Sequence, residues 1–253
     1  MNLLDWRHVY GQIFPTIPAG AFLGRLRTEK VSVVLVTGCQ RSGTTWFTKL
    51  LGSCLQDAHA PKELEVCNYL INNLDFSLPG CSTLVLQTTF LNTETESYAT
   101  LPDEIRVVVI ARNPFSVCWS MVNNWENLSL EYARRCRISF DAERVHAEEE
   151  LWRMAVHLYR ESAESTLAIL RDRPGRTRLL IYDELIHDPS AALDAISAFL
   201  GREVTTAPPG LRVDLAPASK HQSMPGRYRE LVARECDPIF ARLMRYQAPS
   251  NPE

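Results

Sequence analysis

Two arginines stand where a cation could hold a phosphate-like anion. Arg41 lies in the turn Gly38-Cys39-Gln40-Arg41-Ser42-Gly43-Thr44-Thr45-Trp46, directly after the apolar run Val33-Val34-Leu35-Val36. Arg112 directly follows a second such run, Ile105-Arg106-Val107-Val108-Val109-Ile110-Ala111, and Ser120 stands eight residues further on. A turn bounded by glycines at the head of a helix presents backbone N–H groups to an anion, and the helix dipole adds to the attraction. With Ser42, Thr44 and Thr45 beside it, the first cluster could hold one phosphate or phosphosulfate. Arg112 and Ser120 could hold a second, separate phosphate. A nucleotide with two separated phosphates would need two such sites, and the sequence supplies two.

The first cluster approximates the phosphate-binding loop G-x-x-x-x-G-K-[ST] of nucleotide triphosphatases. It departs from that loop at one point: the position after Gly43 is Thr44 where the lysine belongs, and the cation sits inside the loop as Arg41.

Gln40-Arg41-Ser42-Gly43-Thr44-Thr45-Trp46 resembles the 5′-phosphosulfate loop of the sulfotransferases that use 3′-phosphoadenosine 5′-phosphosulfate. Arg112-Asn113-Pro114 with Ser120 resembles their 3′-phosphate motif, at the same spacing of eight. Tyr182-Asp183-Glu184-Leu185, Asp188-Pro189 and Phe199-Leu200-Gly201 are similar to a further conserved segment, so the likeness extends over about residues 31–246. The resemblance implies a P-loop-like nucleotide-binding fold and a role for each residue. Arg41 would contact the bridging and sulfuryl oxygens, and Gln40, Ser42, Gly43, Thr44 and Thr45 would complete the cradle of the 5′-phosphate. Arg112 and Ser120 would hold the 3′-phosphate, and Trp46 and Tyr182 would flank the adenine. Ser219-Lys220-His221 would close over the 3′-phosphate, although the family's R-K-G form is absent there.

The same resemblance accounts for the missing lysine. A sulfuryl group carries less charge than a γ-phosphoryl group, so no metal is expected and the metal-holding parts of a phosphoryl-transfer site are dispensable. What remains is in-line positioning, a cation on the leaving oxygen and a base for the acceptor hydroxyl. Cytosolic relatives carry that base as a histidine in K-T-H, where this chain reads Gln87-Thr88-Thr89. Other branches use a glutamate further along the chain. Glu63 is the first candidate here, Glu65 the second and His59 the third.

Two other readings stay open. Leu179-Leu180-Ile181-Tyr182-Asp183-Glu184 mimics a Walker B strand, which would suit a P-loop kinase or NTPase. The missing histidine would suit a catalytically inactive nucleotide-binding protein of the same fold. The expected acceptor is a small molecule, lipid or carbohydrate. Trp125, Phe76 and Tyr69 are apolar candidates for its pocket.

The elements that must position these groups follow from periodicity. Strands are expected at about 31–37, 82–90, 105–111 and 178–182. Continuous β-branched runs of this kind suit parallel strands covered on both faces. Helices are expected from Thr44 to about Leu55, over 92–101, from Pro114 onward, over 144–170, from Asp188-Pro189 to a cap at Gly201, and from Tyr228 to Tyr246 with a break near Pro238. Residues 124–142 look irregular. The alternation gives an α/β fold, a central mostly parallel sheet flanked by helices on both faces, with ligands beyond the carboxyl ends of the strands. A single domain over 1–253 is expected, with a lead-in (1–30), a core (31–201) and a C-terminal loop and helix (202–253).

Bulk composition narrows the alternatives. The chain has 253 residues, 45% hydrophobic and 23% charged, enough to bury a sizeable core. A net charge of −3 argues against general nucleic-acid binding. The seven cysteines are an odd, scattered set with no C-x-x-C spacing, neither a disulfide framework nor a zinc pattern. With no secretory signal at the start and no apolar run long enough to span a bilayer, a cytoplasmic protein is expected.

Overall fold

The computed structural model describes residues 26–61, 80–88, 101, 105–136, 146–205 and 220–247. Five strands form one parallel sheet: β1 (Ser32–Gly38), β2 (Ala58–His59), β3 (Thr83–Thr88), β4 (Ile105–Ala111) and β5 (Thr177–Ile181), in the order β2-β3-β1-β4-β5. β1 lies at the centre, with Thr37 opposite Thr88 of β3 and Gly38 opposite Ile110 of β4. The helices are α1 (Thr44–Cys54), α2 (Pro114–Val122), α3 (Trp125–Cys136), α4 (Glu148–Asp172), α5 (Tyr182–His187), α6 (Pro189–Leu200) and α7 (Gly226–Gln247), with a 3₁₀ turn at Lys220–Ser223.

Period-two alternation sorts the strand side chains into two cores. Val33, Leu35, Val107, Val109, Leu179 and Ile181 join the cluster that includes buried residues of α2, α4 and α7. Val34, Val36, Val108, Ile110 and Leu180 join the cluster under α1, α5 and α6. Phe47 is fully buried in the second cluster and anchors α1 to the sheet. Trp152, also fully buried, stacks on Tyr228 of α7 at 5.0 Å between ring centroids.

The chain leaves β1 toward β2 and β3, but leaves β4 toward β5. Right-handed crossovers running in opposite directions put their helices on opposite faces, and a crevice opens between the two strands at their carboxyl ends. That crevice lies between β1 and β4, the strands that precede Arg41 and Arg112.

Several expectations need correction. Residues 125–136 form helix α3, not irregular chain. Its inward face carries Ser129 and Glu131 beside Leu128 and Ala133, all buried, and these polar residues mask the apolar period. The two-residue edge strand β2 is too short to leave a pattern and exists through its pairing with β3. Tyr182 opens α5 and does not end β5. α7 runs unbroken through Pro238. An interior proline costs a helix roughly 3 kcal/mol, but Tyr228, Val232, Cys236, Ile239 and Leu243 stay buried on one face across it. The expected helix over 92–101 lies outside the described residues, apart from Leu101. No helix among the described residues is long and apolar enough to cross a membrane.

Candidate functional site: two arginines across the sheet crevice

The loop after β1 depends on two glycines with positive φ. At Gly38 (φ 152°) a Cβ would collide with the carbonyl oxygen of Ile110 in the neighbouring strand. At Gly43 (φ 101°) it would enter the ring of Tyr182. Arg41 also takes the left-handed conformation, at φ 66°, which is uncommon for a residue with a side chain. Ser42 N–H donates to the Cys39 carbonyl at 3.1 Å, closing the turn.

Helix α1 begins with an open N-terminus. Gly43 is its N-cap, no side chain caps it and its first turn holds no acidic residue. The first intrahelical bond runs from Phe47 N–H to the Gly43 carbonyl at 3.0 Å. The amides before it are therefore donors without helical acceptors. Thr44 is buried and Thr45 exposed.

Arg41 and Arg112 are linked to each other and to Ser120. Arg41 Nε donates to Ser120 Oγ at 2.9 Å, and Arg112 Nη1 donates to the Arg41 carbonyl at 3.2 Å. The Arg112 guanidinium also lies over the Tyr182 ring, 4.4 Å from its centroid, and Trp46 meets that ring edge-on at 6.1 Å. Tyr182 is thus the common surface beneath Gly43, Arg112 and Trp46.

Groups that the sequence reading passed over hold this arrangement. Tyr159 of α4 donates its hydroxyl to the Arg112 carbonyl at 3.0 Å, and burial pushes that phenol well above its usual range. The Asn113 amide donates to Asp183 Oδ2 at 3.1 Å, while Asn113 Oδ1 caps α2 by accepting from Phe115 N–H at 2.9 Å. Asp183 therefore holds the exit of β4, which a Walker B reading of that residue did not anticipate. Thr37 Oγ1 donates to the Thr88 carbonyl at 2.7 Å and ties the carboxyl end of β1 to β3. Tyr159 gives no signal in one dimension, since it occupies an ordinary core position of an amphipathic helix.

Beneath the loop, Cys39, Cys118 of α2 and Cys236 of α7 are buried in one core cluster. Burial, then hydrogen bonding to Cys236, pushes the Cys118 thiol well up, so it is held as a neutral thiol. A buried thiol of this kind is inert as a nucleophile.

Three polar atoms in the cluster are buried without a partner: Ser42 Oγ, Trp46 Nε1 and Arg112 Nε. Buried polar groups are otherwise nearly always satisfied. Their concentration around an uncapped helix N-terminus fits a ligand with anionic oxygens.

The remaining candidates fall as follows. Glu63, Glu65, Ser219, Tyr69 and Phe76 lie outside the described residues. The backbone at Lys220 and His221 forms a 3₁₀ turn that packs against α2, the helix bearing Ser120. His59 pairs with Leu84 near the amino end of β3, far along the strand from Thr88. Trp125 opens α3 and is 39% exposed. Gln40 is half-buried in the loop beside Arg41. Among the described residues, no three His, Cys, Asp or Glu side chains group as a metal site.

Comparison with known proteins agrees with this fold. A search of curated protein sequences found no match. Among solved structures, the chain resembles a sulfotransferase from Alicyclobacillus acidocaldarius (TM-score 0.53, 14% identity, covering 85% of this chain and 94% of that one). It also resembles mouse sulfotransferase SULT7A1 complexed with PAP (TM-score 0.53, 16% identity, 92% and 95% covered). The sulfotransferase domain of the Synechococcus PCC 7002 olefin synthase is similar too (TM-score 0.53, 15% identity, 80% and 93% covered). At these identities the likeness carries the fold alone, and that fold is the P-loop-like α/β architecture expected from the sequence. The family model described as "Sulfotransferase domain" matches residues 32–225, from the first residue of β1 to the turn before α7. The chain belongs to the sulfotransferase domain family.

Proposed function

We propose that the protein transfers a sulfuryl group from 3′-phosphoadenosine 5′-phosphosulfate to an acceptor hydroxyl on a small molecule, lipid or carbohydrate, in the cytoplasm and without a metal. The observation that carries this reading is the meeting of Arg41 and Arg112 across one crevice, linked through Ser120 and the Arg41 carbonyl. An arginine at the exit of each of the two neighbouring strands suits a nucleotide with phosphates on both the 3′ and 5′ positions. The mouse structure named above, solved with PAP, makes the same ligand class a natural choice here.

In this reading the open amides of α1 and the hydroxyls of Ser42, Thr44 and Thr45 hold the 5′-phosphate. Arg112, Ser120 and the Ser219-Lys220-His221 turn hold the 3′-phosphate. Trp46 and Tyr182 flank the adenine, and Gln40 and Gly43 shape the loop. Arg41 stabilises the charge that develops on the leaving phosphate oxygen, its planar donors matching that oxygen and its neighbours. Glu63, or failing it Glu65, removes the acceptor proton as the new O–S bond forms and the bridging S–O bond breaks. The products are the sulfated acceptor and adenosine 3′,5′-bisphosphate. β2 runs parallel to β3, so the chain passes through His59 toward the carboxyl edge of the sheet. That direction favours a base after His59 over His59 itself.

Calorimetric titration with adenosine 3′,5′-bisphosphate and with ATP–Mg²⁺ tests the donor assignment. The bisphosphate should bind without metal, and Arg112→Ala should weaken it by about tenfold to a hundredfold, the scale of a charged hydrogen bond. Binding of ATP–Mg²⁺ alone would favour a kinase and overturn the proposal. Screening acceptors with a labelled sulfuryl donor tests transfer. Glu63→Gln should abolish turnover while sparing bisphosphate affinity, and full activity in that variant would move the base elsewhere.

A further inference from the structure

One peptide group at the crevice is gripped at both ends. It joins Arg112 to Asn113, between the end of β4 and the start of α2. The ladder with β5 stops at Ala111 opposite Ile181, and α2 begins at Pro114. The peptide belongs to neither regular element, yet its carbonyl and its N–H both need partners. Two side chains serve them. Tyr159 of α4 donates its hydroxyl to the Arg112 carbonyl at 3.0 Å, and Asp183 of α5 accepts the Asn113 N–H on Oδ2 at 3.1 Å.

The two grips come from opposite faces of the sheet. Tyr159 is buried in the cluster that includes α4, whereas α5 packs through Tyr182 and Leu185 into the other cluster. They lie 47 and 70 positions from the residues they hold. The backbone just beyond is fixed locally. Asn113 precedes a proline, which biases it to extended backbone, and it stands at φ −45°, ψ 125° with its side chain accepting from Phe115 N–H. The freedom left at the exit of β4 is rotation of the Arg112–Asn113 peptide plane, and Tyr159 and Asp183 oppose it from either end. Such a rotation would swing the long Arg112 side chain, whose guanidinium lies over the Tyr182 ring, 4.4 Å from its centroid. Tyr182 and Asp183 are the first two residues of α5. One turn of helix thus supplies both the surface under the guanidinium and the acceptor for the amide. A carboxylate accepting from a backbone N–H makes a charge-assisted bond, stronger than a neutral one.

We propose that Tyr159 and Asp183 are positioning residues that fix the Arg112–Asn113 peptide and thereby set the preference of the crevice for a nucleotide bearing a 3′-phosphate. The proposal rests on the donor assignment above and adds to it two residues that act through Arg112. A binding group held in its productive geometry before the ligand arrives loses less freedom on binding. Asp183 also acquires a use unlike that of the acid after a Walker B strand, which holds Mg²⁺ in a phosphoryl-transfer site. Here the half-buried carboxylate holds a backbone amide.

Calorimetric titration of adenosine 3′,5′-bisphosphate and of adenosine 5′-monophosphate into the same variants tests it, because only the first ligand carries the 3′-phosphate. Tyr159→Phe removes one hydroxyl and keeps the buried ring. It should weaken the bisphosphate about fivefold while moving the 5′-monophosphate less than about twofold. Asp183→Ala should act in the same direction. Asp183→Asn keeps a side-chain oxygen that can accept from the Asn113 N–H, and it should recover most of the loss. If Asp183→Ala fails to fold, Tyr159→Phe keeps the test. Unchanged bisphosphate affinity in Tyr159→Phe overturns the proposal. An equal loss for both nucleotides, as a loosened fold would give, also overturns it. If the unaltered protein binds the bisphosphate no more tightly than the 5′-monophosphate, the donor assignment falls and takes this proposal with it. That result is seen before any substitution is made, so the two failures are distinguishable.

Discussion

Arg41 Nε donates to Ser120 Oγ at 2.9 Å, joining the loop after β1 to the second turn of α2 across the sheet crevice. The two residues are 79 positions apart in sequence. The contact holds the loop arginine toward α2, and Arg112 Nη1 reaches the Arg41 carbonyl from the same side chain cluster. Ser120→Ala removes that acceptor and one proposed ligand of the 3′-phosphate together. Affinity for adenosine 3′,5′-bisphosphate should fall by about 1 kcal/mol, roughly fivefold. Unchanged affinity by calorimetry would remove Ser120 from the binding site.

The contact between Gly43 and Tyr182 gives a steric prediction. A Cβ at position 43 meets the tyrosine ring and also sits on a backbone at φ 101°. Gly43→Ala should cost about 1–3 kcal/mol of stability, the usual scale for a strained backbone position. Gly43→Ala/Tyr182→Ala should cost less than the sum of the single changes, because the collision exists only when both side chains are present. Additive losses in urea unfolding would mean that the backbone strain acts alone.

Ser42 separates folding from binding. Its hydroxyl is fully buried, and its Oγ has no hydrogen-bond partner. An unsatisfied buried hydroxyl costs about 1–3 kcal/mol. Ser42→Ala should therefore raise the melting temperature of the ligand-free protein while weakening bisphosphate binding. A lower melting temperature together with unaltered binding would assign the hydroxyl a purely structural role.

Cys118 and Tyr159 give a prediction for stability at alkaline pH. Both are pushed well above their ordinary values of 9.0 and 10.0, chiefly by burial. The unfolded chain therefore loses these protons first as pH rises. Their contribution is fully present below the ordinary values and is lost progressively as pH climbs through them toward the folded-state values. Stability to urea should fall above about pH 9, starting at the 9.0 of the thiol. Cys118→Ala should flatten the first part of that decline, and a slope identical to that of the unaltered protein would place the titration elsewhere.

Much of the site was legible in one dimension because its parts are local. A β-branched run, a turn with glycines at fixed offsets and a following helix all lie within residues 33–55, and short-range sterics dictate them. The same holds for Arg112-Asn113-Pro114, where Pro114 begins the helix and Asn113 caps it, and for α6, capped by Asp188 Oδ1 accepting from Ala191 N–H at 3.0 Å and ended by Gly201. Helix α3 escaped notice because Glu131 and Ser129 occupy its buried face, and burial is a property of the fold and not of the residue.

The sequence by itself determined the two arginine-bearing segments, the parallel α/β class and the arginine placed inside the loop in place of a lysine after it, since each follows from residue type and near spacing. Only the tertiary structure decided which strands are neighbours. Pairing of β1 with β4 brings Arg41 onto Ser120, pairing of β4 with β5 sets Arg112 against Tyr182, and the packing of α4 puts Tyr159 under the Arg112 carbonyl. These contacts join residues far apart along the chain, and their geometry is set by strand order and the packing of two helical layers, which no local pattern encodes.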